Sequence, residues 1–192
     1  FNRDVSNLPP SITHLTFGSS FNQDVSNLPY GLTHLTFGLD FNKDISVLPH
    51  TLTHLTIYRY LNQDMSILPP SLTHLNLGMS NNNNLLVLPQ SVINLNIGSG
   101  FKTQIILHSN IKYLKLGCNS LDIINSLPNS IMELKLNRFF NLQMDNLPTS
   151  IKKIIIDKKS IYNKDLNCLP DFVEELHLNA KYKKRIMRIP SN

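Results

Sequence analysis

Residues 32–38 read LTHLTFG. The phrase stands as ITHLTFG at 12–18, as LTHLTIY at 52–58 and as LTHLNLG at 72–78, so it returns every 20 residues. A phrase that recurs at a fixed interval marks a repeated structural unit, which buries its apolar face by stacking on its neighbours. Inside the phrase, Leu35-Thr36-Phe37 alternates with the period of two that a short strand requires. A unit of this length has no room for a three-turn helix and its connections as well. The return path is therefore predicted to be extended or a single 3₁₀ turn.

Outward from this stretch the whole chain resolves into units. They start near residues 1, 21, 41, 61, 81, 101, 120, 140 and 162, with a partial tenth from 182. Residues 1–192 thus read as one solenoid of about nine repeats of 19–22 residues. The spacing Leu32, Leu35, Phe37 is the L-x-x-L-x-L of a leucine-rich repeat. The predicted fold class is a leucine-rich-repeat-like solenoid with a parallel β-sheet on the concave face and few or no α-helices.

Three further positions support this reading. The ninth residue of each unit is Pro except at His108, and it suits an extended stretch outside the sheet. The second is Asn at Asn2, Asn22, Asn42, Asn62, Asn82, Asn141 and Asn163, a ladder placed to satisfy backbone groups that no strand pairs. The eighteenth is Gly18, Gly38, Gly78, Gly98, Gly117, Asn137, Asp157 or Asn179, with Tyr58 departing. Gly, Asn and Asp tolerate positive φ, so a sharp left-handed turn is expected where the chain leaves the strand.

The stretch FNQDVSNLPYGLTHLTFG (21–38) resembles the FNIP repeat, a divergent leucine-rich repeat of social amoebae and the giant viruses that infect amoebae. The pairs Phe1-Asn2, Phe21-Asn22 and Phe41-Asn42, each followed by Val or Ile and then Leu-Pro, carry the likeness. Units from Asn81 drift, and Phe101-Lys102 and Ser120-Leu121 lose the pair. Members of the family often carry an F-box ahead of the repeats. The resemblance therefore implies the substrate-recruiting part of an F-box-type ubiquitin ligase.

Composition narrows the classes. Residues 1–80 hold three Lys and Arg against five Asp and Glu, and residues 81–192 hold fifteen against eight. The net charge of +5 belongs to the second half. Lys181, Lys183, Lys184, Arg185 and Arg188 form a candidate anion-binding cluster at its end. RNA or polyanion binding is thus the alternative function. Cys118 and Cys168 form no CxxC pair, and three coils separate them, so no disulfide is expected. An intracellular, cytoplasmic location follows (host cytoplasm if the protein is viral), and nothing suggests a membrane span. The chain starts at Phe1, without Met and at a unit boundary, as a segment of a longer protein would. Solenoid ends without caps leave self-association open, and the basic tail is placed to cap one of them.

The strand phase fixes which side chains face outward. One column is His14, His34, His54, His74, Asn94, Tyr113, Glu133, Lys153, Glu175. The next is Thr16, Thr36, Thr56, Asn76, Asn96, Lys115, Lys135, Ile155, His177. These are the expected partner-binding residues. A straight row of imidazoles does not converge on one metal ion. Four copies in like settings also lack the pocket and partner that single out a catalytic base. With no G-x-S-x-G, H-E-x-x-H or P-loop present, the chain reads as a non-catalytic interaction module without metal or cofactor. Its four histidines form a structural comb, expected to weaken as pH falls toward 5.

Overall fold

A computed structural model describes residues 1–59, 63–80, 85–102 and 104–186. The main sheet comprises β1 (His14–Thr16), β2 (His34–Phe37), β3 (His54–Ile57), β4 (His74–Ser80), β6 (Asn94–Phe101), β8 (Tyr113–Leu116), β9 (Glu133–Leu136), β10 (Lys153–Ile156) and β11 (Glu175–His177). All nine are parallel and lie in this order, so each coil contributes one strand and hands it to the next. A second, two-stranded sheet pairs β5 (Leu86–Val87) with β7 (Ile105–Ile106) on the return path of the fifth and sixth coils. Helix is minor: a 3₁₀ turn at Met65–Ile67 and α1 (Leu121–Asn125). α1 forms where Ser120-Leu121 replaces the Phe-Asn pair, and the Ser120 hydroxyl caps it by accepting from the Ile123 N–H.

The core follows from the alternation. Leu35 and Phe37 point inward from β2 and meet Phe21, Val25, Leu28 and Leu32 of the same coil, all of them buried. Each such side chain contributes about 1.5–3 kcal/mol on burial. Aromatic rings also stack from coil to coil. Phe1, Phe21 and Phe41 are spaced 6.3 and 6.2 Å apart, and Phe140, Tyr162 and Tyr182 repeat the 6.2 Å step. Tyr162 thus occupies the phenylalanine place of the ninth coil, after the two extra residues Ser160 and Ile161.

The ninth-position prolines do more than interrupt pairing. The carbonyls of Pro9, Pro29, Pro49, Pro69, Pro89, Pro128, Pro148 and Pro170 each accept from the N–H three residues on, at 3.0–3.3 Å. His108 does the same at 3.2 Å. Each proline therefore opens the β-turn that feeds the strand. Proline is tolerated there because the first residue of a turn supplies a carbonyl and needs no N–H. Next to it a hydroxyl ties coils together. Thr51, Ser71, Ser130 and Ser150 donate to the carbonyls of Leu32, Leu52, Ile111 and Ile131.

The eighteenth position corrects the expectation of a left-handed turn. No described residue, glycine included, has positive φ. The glycines are there because adjacent coils touch backbone to backbone. A Cβ on Gly38 would lie 2.3 Å from the Gly18 carbonyl oxygen, and one on Gly98 would lie 2.1 Å from that of Gly78. Gly78 and Gly117 would collide with the preceding coil in the same way. Gly18, in the first coil, would meet nothing within 4 Å. From the seventh coil the close approach gives way to side-chain turns. Asn137, Asp157 and Asn179 accept from the N–H two residues on, at 3.1, 2.7 and 2.9 Å.

Candidate functional site

The main sheet turns one face outward, and its register sets the two columns. His14, His34, His54, His74, Asn94, Tyr113, Glu133, Lys153 and Glu175 pair in sequence across the nine strands. Thr16, Thr36, Thr56, Asn76, Asn96, Lys115, Lys135, Ile155 and His177 do the same. This face holds a groove of about 380 Å³ across the third to seventh coils. Backbone and leucine atoms floor it, and His54, His74, Asn76, Asn96, Tyr113 and Lys115 are among its walls.

The imidazoles of His14, His34, His54 and His74 stack with centroids 4.0, 4.0 and 3.9 Å apart and planes within 13–14°. Each Nδ1 lies 2.9 Å from the hydroxyl of the preceding threonine: Thr13, Thr33, Thr53 or Thr73. The last three hydroxyls also donate to the carbonyl of the threonine one coil back, at 3.1–3.3 Å. A hydroxyl has one hydrogen. With that hydrogen on the carbonyl, the oxygen accepts from Nδ1–H, and Nε2 is left unprotonated. Burial pushes His34, His54 and His74 below the ordinary histidine range. For His34 and His54 the like charge of neighbouring rings adds to it, and His54 falls to about 4. His34, His54 and His74 are thus held neutral. No group of three or more metal-ligating side chains converges among the described residues.

Further along, the face becomes charged and internally paired. Lys135 lies 3.6 Å from Glu133, Lys153 lies 2.7 Å from Glu175, and His177 lies 3.3 Å from the same carboxylate. The hydrogen bond from Lys153 is the main cause holding the Glu175 carboxyl below its usual range, and the same bond raises the lysine. Lys115 makes no ion pair among the described residues.

The asparagine ladder lies away from this face and is structural. Asn2 Oδ1 accepts from the Asn22 N–H at 2.8 Å, and Asn22 Oδ1 from the Asn42 N–H at 2.9 Å. Asn141 Oδ1 accepts from the Asn163 N–H at 3.1 Å. Asn119 takes the missing place in the seventh coil and accepts from the Asn141 N–H at 3.0 Å. Asn62 and Asn82 lie outside the described residues. Asp4, Asp24, Asp44 and Asp64 each accept from the hydroxyl and N–H of the serine two residues on.

In the basic cluster Lys184 pairs with Asp165 at 3.2 Å, and Lys181, Lys183 and Arg185 lie near it in sequence. Arg188 lies outside the described residues. Tyr182 packs on Tyr162 and donates to the Lys164 carbonyl, so this segment covers part of the last coil. Both cysteines are free; burial raises the Cys118 thiol and makes it unreactive.

The FNIP Repeat family model matches residues 1–27, 24–60, 62–100 and 122–159. The chain belongs to the FNIP repeat family. Among solved structures it is similar to CroV588, described as a novel circular LRR protein structure, at 33% identity and a TM-score of 0.52. The alignment covers 93% of this chain and 35% of that one, so the FNIP chain spans about a third of its neighbour's length. No curated protein matches. Solenoids of this leucine-rich-repeat-like kind are generally protein-interaction scaffolds and typically non-catalytic. No helix among the described residues is long and apolar enough to cross a membrane.

The reading of the sequence missed one exposed apolar column. Val47, Ile67, Val87 and Ile106 lie 40–52% exposed on successive return paths. The same place holds Asn7, Asn27, Ser126 and Asn146 in other coils. The β-branched pair Val87 and Ile106 favours the extended backbone of β5 and β7. The signal was the change from Asn to Val at position seven, which looks like drift in any single unit.

Proposed function

We propose that this solenoid binds a protein partner across the outward face of its main sheet and performs no chemistry of its own. One observation carries the reading. Inward positions stay Leu, Ile or Phe in every coil, while the paired outward positions change from His and Thr through Asn to Tyr, Lys and Glu along one groove. A constant core with a changing face is how repeat scaffolds vary specificity without disturbing stability. Where an F-box accompanies the repeats, such binding would recruit the substrate of a ubiquitin ligase. Polyanion binding is the weaker reading. Glu133, Glu174 and Glu175 interleave with the lysines of the later coils, and Asp165 engages Lys184. The test is proximity labelling with the intact protein, beside a variant carrying Ala at Tyr113, Lys115, Glu133 and Lys135. Loss of the labelled partner in the variant is the expected result. Unchanged labelling removes this face from the binding site.

A further inference from the structure

The charged groups on the outward face are not balanced coil by coil. Glu133 and Glu175, the two carboxylates of its columns, are both engaged, by Lys135 and by Lys153 with His177. Lys115 is exposed and has no ion-pair partner among the described residues. It stands where the neutral half of the face meets the charged half, in register between Asn96 and Lys135. It also lines three adjoining depressions: the main groove, one beside Arg138, and one beside Gly78 and Gly98. Asn76 and Asn96 continue the column from Lys115, so hydrogen-bond donors stand on four successive coils. Strand spacing puts neighbouring members about 4.8 Å apart.

We propose that Lys115, with Asn76, Asn96 and Lys135 beside it, is a subsite for a carboxylate carried on an extended peptide segment of the partner. The inference rests on the concave-face reading and names the chemistry of its ligand. An unpaired ammonium between the Asn96 amide and Lys135, which Glu133 engages, offers one acceptor-seeking charge with a neutral donor beside it for a carboxylate. A phosphodiester backbone asks instead for a row of cations, and Glu133 and Glu175 interrupt such a row here.

Fluorescence anisotropy with the full chain tests this, using labelled hexaglutamate, hexaglutamine and a dT oligonucleotide of similar length. The expected result is that hexaglutamate binds at least tenfold tighter than hexaglutamine and tighter than the oligonucleotide. Lys115→Gln should weaken it at least fivefold, while Lys183→Gln in the basic segment leaves it unchanged. No binding of hexaglutamate, equal binding of hexaglutamine, tighter binding of the oligonucleotide or an indifferent Lys115→Gln would each overturn the subsite. Proximity labelling separates this failure from that of the underlying reading. A partner lost in the four-residue Ala variant but kept in Lys115→Gln removes the subsite alone. A partner kept in both removes the face.

Discussion

Lowering the pH should loosen the second to fourth coils before the rest of the solenoid, because His34, His54 and His74 are neutral in the fold and basic when released. His54 falls from an ordinary 6.5 to about 4, and His34 and His74 shift the same way. The native state therefore refuses protons that the unfolded chain accepts. The stabilisation is fully present above about pH 6.5 and is lost as pH falls toward 4. Each tenfold change in proton affinity is worth about 1.4 kcal/mol, so His54 alone sets a ceiling of about 3 kcal/mol. Its ring is partly exposed, and solvent screening reduces the effect to about 1–2 kcal/mol. The Asp column does not blur this window. The Ser6, Ser26 and Ser66 hydroxyls, and for Asp44 first the Ser46 amide, hold those carboxyls below their usual range, so their contribution fades only below about pH 4. Hydrogen exchange followed by mass spectrometry between pH 7.5 and 4.5, corrected for intrinsic rates, should show protection falling in β2–β4 and holding in β8–β10. The variant His34→Asn, His54→Asn, His74→Asn puts at each site the residue the sheet already carries at Asn94, and its protection should be flat with pH. Equal loss in both proteins, or no loss in the wild type, would refute the reasoning.

Other substitutions test the coil contacts. Gly98→Ala should destabilise by about 2–4 kcal/mol in urea unfolding, since its Cβ would collide with the Gly78 carbonyl. Gly18→Ala, with open space around it, should stay within about 0.5 kcal/mol. Asn22→Ala breaks the bridge to the Asn42 N–H and should lower stability by about 1 kcal/mol in the same assay. Tyr162→Phe removes a buried hydroxyl with no partner. It should leave the melting temperature unchanged or raise it, by up to about 1 kcal/mol in stability.

The leucines of LTHLTFG carried the fold in full view, since a period of two next to a period of 20 admits few other structures. The columns followed, because once Leu35 and Phe37 face inward His34 and Thr36 have no other side to take. Relations between coils were harder to read. Glycine at position 18 is equally compatible with a left-handed turn and with a backbone contact, and only the distance from Gly98 to Gly78 decides between them. The Thr33 hydroxyl, which orders the adjacent imidazole, resembles any strand threonine. Asn119 is one residue ahead of the unit that needs it, so column counting passes over it. The partial pairing of the charged half was likewise invisible, because which lysine goes unpaired depends on side-chain reach.

The glycine contact also bears on how such a chain can grow. Gly98 meets Gly78 and Gly117 meets Gly98, whereas Gly78 meets Tyr58, so a unit copied between Gly78 and Gly117 would restore a glycine contact on both sides. The joints at Asn137, Asp157 and Asn179 are closed by each coil's own side chain. A unit from the later group placed after Gly98 would set a side chain where Gly117 now lies against the Gly98 backbone. Tyr58 carries a side chain at this joint in the third coil, so the close glycine contact restricts exchange of units chiefly between Gly78 and Gly117.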